Sequence, residues 1–268
     1  MLNMRGFVKN IALLLIFVVL FGMTQIVATM VVVNTYGTMT DVGFMLTYFI
    51  AMLLCYIAVT IMERYTFGRV APIENSKRGF NPVTILTGVV LLIAISIVLA
   101  PLSEVLPADR RTLPEGTFTL ISVVILAPIF EEMIFRGRLY NIFHHNGSPL
   151  TAASLSALAF GMVHLEPIVI IEALVVGVVF SYFYIVRCSI IAPIILHMCN
   201  NALAYALLVL SYRDESFMEL LGEGMKLTVV YATSAVIVVA CFAIIIRRML
   251  VERRNERRVV EEEEEIDE

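Results

Sequence analysis

The 268-residue sequence has little charge. Charged residues make up 16% of the chain, below the roughly 25% of an average protein, and 60% of the residues are hydrophobic. The mean hydropathy is +0.90. Because several uncharged apolar runs are also about 20 residues long, the composition excludes an ordinary soluble domain. It predicts an all-α fold, a polytopic bundle of transmembrane helices.

Cysteine is also scarce, and its spacing excludes a common class of site. The four cysteines contain no CxxC pair, and three of them lie inside apolar runs. We therefore expect small buried side chains rather than a disulfide framework or a zinc cluster. They are Cys55, Cys188, Cys199 and Cys241.

Eight apolar runs are predicted to cross the membrane. The first, Ile11 to Val33, has no charge over 23 residues and is longer than the core of a cleaved signal peptide. The fourth and sixth contain acids but have strongly apolar flanks. The other runs are Gly43 to Met62, Val83 to Ser103, Thr117 to about Phe143, Ser148 to Val163, Pro167 to Val186, Cys188 to Tyr212 and Leu227 to Ile246.

The distribution of basic residues predicts the orientation. With both termini in the cytoplasm, most of the 19 Lys and Arg residues fall in cytoplasmic segments. We therefore predict an integral domain of the cell membrane over residues 1–248 and a charged cytoplasmic tail over 249–268, helical in part or disordered. Much of the acid lies in this tail, so the net charge of -4 says little about partners, and no nucleic-acid partner is expected.

The acids of the fourth run require an explanation, because a charge at the bilayer centre costs at least about 2.5–3.5 kcal/mol. Glu132 and Arg136 are four residues apart, in the favourable order for an ion pair on one helix. Glu131 projects about 100 degrees away and has no local partner. It is predicted either to be solvated near the inner end of the helix or, as we favour, to face a water-filled cavity as a general base or metal ligand.

Two further pairs share helix faces. Phe160 and His164 lie on a run rich in small residues, which allow close helix packing. His197 and Asn201 lie on the seventh run and both carry hydrogen-bond donors, with Asn200 as the alternative if the register differs. Either histidine alone is more often structural than catalytic.

Helix rise gives the expected depths. Glu131 is placed about two thirds of the way in from the outer face, whereas His164 falls nearer the outer half. The set closes only if the fifth helix begins below the membrane surface or is tilted. The remaining acid, Glu172, is expected to pair with a neighbouring helix or to lie near the outer surface, outside the site.

These motifs, in this order, resemble the CPBP intramembrane proteases, also called the Abi or CAAX protease family, which includes the Ras-converting CAAX prenyl endopeptidase. They cover about residues 117–212, which the resemblance implies to be a catalytic core. EExxxR matches Glu131, Glu132 and Arg136, FxxxH matches Phe160 and His164, and HxxxN matches His197 and Asn201.

The resemblance implies an intramembrane endopeptidase that uses water to cleave a membrane-associated protein or peptide, in a cavity open to the cytoplasm. Glu131 and His164 are implied to activate the water. His197 and Asn201 are implied to stabilise the oxyanion. A supporting role is implied for Glu132, Arg136 and Phe160.

The cofactor stays open. Two histidines and a carboxylate, His164, His197 and Glu131, also form the ligand set of several catalytic zinc sites, so a divalent metal, zinc above all, would make the enzyme a metalloendopeptidase. A metal-free glutamate mechanism uses the same residues, and the absence of HExxH favours it slightly. GxSxG and GxGD are absent too, which disfavours serine and aspartyl intramembrane proteases.

Two other functions compete with a protease. Intramembrane carboxylates and histidines also serve proton- or ion-coupled transporters. A non-catalytic membrane scaffold or immunity protein is the second alternative. No inverted repeat is visible, and the polar residues gather in one place, which favours the protease. A prenylated CAAX tail, a peptide precursor and a membrane-bound regulator all remain candidate substrates.

Overall fold

The computed structural model describes residues 4–37, 39–76, 81–106, 113–114, 116–164, 166–211 and 224–267. Within the described helices, the side chains of residues 36, 103–104, 209–211 and 252–267 are not described. Tyr212, the predicted end of the seventh run, lies outside these ranges, as do residues 77–80 of the linker after the second run.

Over the described ranges the chain forms eight long helices and no strand, which confirms the predicted all-α bundle. A single helical turn, Leu102–Val105, follows the third helix, so that helix ends at Leu99 rather than at Ser103. The helices are α1 (Met4–Tyr36), α2 (Asp41–Phe67), α3 (Pro82–Leu99), α4 (Thr117–His145), α5 (Pro149–Met162), α6 (Pro167–Arg187), α7 (Ile191–Ser211) and α8 (Met225–Asp267).

Seven of these helices are long and apolar enough to cross a membrane. The exception in the described part of the chain is α5, whose 14 residues rise about 21 Å, against a hydrocarbon core of about 30 Å. α5 forms a tight hairpin with α6. The side of the membrane that holds the termini stays a prediction.

Side-chain caps fix several helix starts. Thr40 caps α2, Asn81 caps α3 and Ser148 caps α5, each accepting a hydrogen bond from a backbone N–H in the first turn. At the other end of α2, Gly68 takes a left-handed conformation and stops the helix. The connection after α2 therefore begins at Gly68, and Glu63 belongs to α2.

One sequence expectation needs correction. Cys188 is exposed, in a left-handed turn with φ 46, whereas Cys55 is buried as expected. All four cysteines are free thiols. The predicted tail is a continuation of α8, with a helical backbone as far as Asp267.

The core lies around α4, which packs against α2, α5 and α7. α1 and α8 are peripheral and leave many large apolar side chains exposed, as expected for lipid contact. Most of the large, fully buried side chains are apolar. The largest of them, however, is Arg136, and its surroundings define the candidate site.

Candidate active site

α4 is an irregular helix, and its irregular segments lie on either side of Glu131 and Glu132. Two π-helical segments, Ser122–Leu126 and Phe135–Leu139, flank the α-helical stretch Ala127–Ile134. Each π segment carries extra residues in its turn and rotates the helical residues after it, and such segments are frequent at functional sites. Glu131 and Glu132 lie between them, at the middle of α4 rather than two thirds along it.

The predicted ion pair between Glu132 and Arg136 forms, and a histidine joins it. Arg136 Nη1 donates to Glu132 Oε1 over 2.8 Å, with both side chains fully buried. His197 Nδ1 lies 2.9 Å from the same oxygen. A carboxylate only accepts, so this ring nitrogen carries the proton, and Nε2 is the atom left for chemistry.

Arg136 is enclosed rather than exposed to a channel. Its Nη2 donates to the Gly177 carbonyl over 2.9 Å, and a Cβ at Gly177 would lie only 3.1 Å from Ala157 Cα. The guanidinium lies 4.8 Å from the Phe160 ring centroid and 5.4 Å from that of Phe180. A glycine on α6 thus allows the close packing that buries this charge.

Glu131 has different partners and a different environment. Its Oε1 accepts a hydrogen bond of 2.5 Å from the Tyr48 hydroxyl of α2. Its Oε2 lies 3.6 Å from His197 Nε2. The Glu131 side chain is 15% exposed, against 0% for Glu132, so Glu131 is the more accessible carboxylate of this cluster.

His164 lies just beyond the end of α5, and its ring orientation is fixed. Nδ1 donates to the Phe160 carbonyl over 2.7 Å, because a carbonyl oxygen only accepts, and this leaves Nε2 with a free lone pair. The Phe160 ring contacts both histidines edge-on, with centroids 5.0 Å from His164 and 5.5 Å from His197.

Helix rise predicts that His164 lies near the level of Glu131. Phe135 of α4 and Phe160 of α5 pack with ring centroids 5.0 Å apart. Glu131 lies four residues before Phe135 on α4, and His164 lies four residues after Phe160. Each separation corresponds to about 6 Å along a helix. The expected depth difference assumed a full fifth span, whereas α5 has only 14 residues. No hydrogen bond or ion pair joins these two side chains in the described part of the structure.

Asn201 lies one turn beyond His197, toward the start of α4. Its Nδ2 donates to the Val123 carbonyl of the first π segment over 2.9 Å. One N–H of the amide remains for another acceptor. The structure therefore places Asn201, rather than Asn200, against α4.

The structure thus brings Glu131, Glu132, Arg136, Phe160 and His197 into one cluster, with His164 and Asn201 at its edges. Glu172, at the start of α6, forms no ion pair with any described residue, contrary to one expectation.

Sequence reasoning missed Tyr48, Gly177 and Phe180. Gly177 and Phe180 carry no chemical signal in an apolar run. A tyrosine in such a run needs a partner for its hydroxyl, and that requirement was the one signal for Tyr48.

The side-chain positions decide whether the predicted metal ligands can act together. The pairing of His197 Nδ1 with Glu132 resembles the outer-shell contact of a metal-binding histidine. Among the described residues, however, no three His, Cys, Asp or Glu side chains are grouped closely enough to hold a metal ion. The residues as placed do not fit a three-ligand site, and no step of the proposed reaction runs through a metal.

The segment that carries most of the site resembles known proteins. Residues 113–203 match the family model described as Type II CAAX prenyl endopeptidase Rce1-like. A relative from Escherichia coli, described as an uncharacterized 24.3 kDa protein, is 30% identical over 126 residues. That alignment covers 42% of this chain and 58% of the relative. No solved structure matches the chain.

Proposed function

We propose that the chain is a protease of the type II CAAX prenyl endopeptidase, Rce1-like kind, which residues 113–203 resemble. It is proposed to cleave membrane-associated proteins or peptides by direct attack of water. With seven span-length helices, it is an integral, multi-pass membrane protein. The assignment as a protease rests on the family. The mechanism and the substrate are our proposals.

The observation that carries the mechanism is the environment of Glu131. Glu131 is a partly exposed carboxylate at the middle of a membrane-spanning helix, with Tyr48 on one oxygen and His197 Nε2 3.6 Å from the other. Helix rise predicts that His164, whose Nε2 is free, lies near the level of Glu131. A water molecule between these groups would have two acceptors for its protons, which is the arrangement that general base catalysis requires.

In the proposed reaction, Glu131 removes a proton from this water while His164 accepts a hydrogen bond from its other O–H group. The water oxygen bonds to the scissile carbonyl carbon, and the carbonyl oxygen takes the negative charge. When the C–N bond breaks, Glu131 returns the proton to the leaving amine. The products are first a carboxylic acid, which keeps the second water proton, and an amine. The acid then loses this proton to the amine, which gives a carboxylate and an ammonium group, and the carboxylate of Glu131 is regenerated.

His197 and Asn201 are proposed to stabilise the oxyanion. With Nδ1–H held by Glu132, a protonated His197 presents Nε2–H toward the reaction centre. Asn201 adds its unused N–H, one turn away. Donors fixed before the reaction stabilise developing charge without reorganising, so the Glu132–Arg136 pair contributes by holding His197 in place.

Tyr48 is proposed as a positioning residue. Its hydroxyl fixes one oxygen of Glu131, which leaves the other oxygen, on the His197 side, for proton transfer. Tyr48 lies on α2, outside residues 113–203, so this part of the site comes from the rest of the bundle.

The substrate is proposed to be a CAAX-type or related C-terminal segment, reaching the site from the cytoplasm or laterally from lipid of the cell membrane. The basic residues of the connections support this orientation. The buried Arg136 cluster supports hydrolysis over transport, because aromatic rings cover the guanidinium.

The test is cleavage of membrane-tethered peptides by purified full-length protein in detergent. The panel contains farnesylated CAAX peptides, their unprenylated forms and an unrelated lipopeptide, and mass spectrometry detects the products. Wild type should cleave at least one peptide, whereas Glu131→Ala and His164→Ala should not. Chelator, followed by zinc, decides whether a metal takes part.

The matched controls are Glu172→Gln, an intramembrane acid outside the cluster, and His145→Ala, an exposed histidine at the end of α4. Both should cleave like wild type. Loss of activity in both controls, or full activity in both site variants, would contradict the proposed site.

A further inference from the structure

A cavity lies between α3, α6 and α8, away from the candidate active site. Its volume is about 230 Å³, and it is open at the side of the bundle. Apolar side chains from all three helices form its walls. They include Leu91, Phe183, Val186, Ile244 and Ile245. The cavity is therefore an apolar crevice that faces the lipid.

Two arginines close one end of this crevice. Arg187 is the last residue of α6, and Arg248 follows the apolar stretch of α8. Val83 and Thr84, from the first turn of α3, line the same end. Because three helices begin or end their apolar parts here, this end of the crevice lies at a membrane interface.

Neither arginine is neutralised by the side chains that the structure describes. No carboxylate among them lies within ion-pair distance of Arg187 or Arg248. In addition, Arg187 Nε is buried and has no hydrogen-bond partner. The two positive charges and the buried N–H donor of Arg187 are complementary to an anionic head group, and the apolar crevice beside them is complementary to a hydrocarbon chain.

We propose that this crevice binds one anionic phospholipid, with an acyl chain along the apolar wall and the phosphate on Arg187 and Arg248. Pockets that enclose a drug-sized ligand measure about 300–1,000 Å³, so this smaller and open space suits a single chain. Basic pockets between membrane helices on the cytoplasmic side are known to bind anionic head groups. Both arginines belong to the segments predicted to be cytoplasmic.

The test is lipid binding by the full-length protein in detergent, measured by native mass spectrometry and thermal stability. The probes are phosphatidylglycerol, phosphatidylcholine and inorganic phosphate. Wild type should retain and be stabilised by phosphatidylglycerol only. The double variant Arg187→Gln/Arg248→Gln should bind it about 30-fold more weakly, or about 2 kcal/mol, at about 1 kcal/mol per basic residue.

Matched controls separate the site from general charge and surface effects. Arg247→Gln removes the neighbouring charge, which does not line the crevice, and should bind like wild type. Thr87→Phe fills the crevice from an exposed position and should weaken binding, whereas Leu86→Phe, on the adjacent exposed face, should not.

Three results would overturn the proposal. Equal binding of phosphatidylcholine would mean ordinary lipid contact, and equal stabilisation by inorganic phosphate would mean an anion site without a lipid. An equal loss in Arg247→Gln would mean a diffuse charge effect. None of these readouts depends on peptide cleavage, so the outcome is independent of the proposed protease.

Discussion

Arg136 and Arg138 are buried two residues apart in the same π segment of α4, yet they belong to clusters of different character. Arg136 joins Glu132 and, through it, His197. Arg138 instead pairs with Glu63 of α2 over 3.2 Å and donates to the Ala71 carbonyl over 2.7 Å. The Arg136 cluster borders Glu131. The Arg138 cluster holds the segment after Gly68 against the bundle.

The two clusters differ in how fully their carboxylates are used. In the Arg138 cluster, Glu63 Oε2 accepts a hydrogen bond from Arg138, and Glu63 Oε1 accepts one from the Ala71 N–H over 2.8 Å. In the candidate site, Glu132 Oε2 has no hydrogen-bond partner, and Glu131 is partly exposed. Burial of a charged side chain therefore does not distinguish the candidate site from the Arg138 cluster. The candidate site is distinguished by a carboxylate that keeps an oxygen available for substrate.

The largest effect is expected from Glu131→Gln, which keeps the shape and the acceptor for Tyr48 but removes the base. Cleavage should fall by about 10²–10⁴, the contribution of a positioned general base. Thermal stability in detergent should stay near that of wild type. Initial cleavage rates at equal amounts of folded protein measure the loss. If Glu131→Gln cleaved the peptide like wild type, Glu131 would not be the general base, and the two clusters would not differ in function.

Arg138→Met should act on stability instead. It leaves Glu63 buried without its cation, which costs about 3–5 kcal/mol when a buried pair is broken. Below its unfolding temperature, the variant should keep its turnover number. Thermal unfolding and kcat are the measurements. The double variant Glu63→Gln/Arg138→Met should recover part of the stability, and a further loss would argue against the pair.

Asn201→Ala should reduce kcat by about 10²–10³, the effect of removing one oxyanion donor. KM should change little, because the contact forms in the transition state. Asn200→Ala is the matched control and should behave like wild type. If the two effects were exchanged, the donor would be Asn200 and the register of α7 would need revision.

Tyr48→Phe should give the smallest effect. It removes one hydrogen bond to a charged group, worth about 1.5–3 kcal/mol, so cleavage should fall by about 10- to 100-fold. The loss should appear in kcat with little change in KM, because Tyr48 positions Glu131 and does not contact the substrate. An unchanged kcat with lower stability would make Tyr48 only a packing residue.

Sequence patterns predicted the helices and the local pairs well, for a physical reason. Membrane spans follow from apolar length, and the pair Glu132–Arg136 follows from spacing on one helix. Both are local properties of the chain. The position of α5 was less predictable, because its 14 residues look like a span in composition but lack the length.

Contacts between distant segments could not be predicted in the same way. The hydrogen bond from Tyr48 to Glu131 joins residues 83 positions apart, and the pair Glu63–Arg138 joins residues 75 apart. Nothing in the spacing predicts either contact. The π segments also escape sequence reasoning, because they change the direction of each side chain without changing composition.

The most direct test of the account is a comparison of Glu131→Gln, His164→Ala and the double variant in cleavage of one peptide by purified protein. If Glu131 and His164 activate the same water, the double variant should be no slower than the slower single variant, because residues that act as a unit are not additive. If instead the two losses multiply, the residues act in separate steps and the shared water is contradicted.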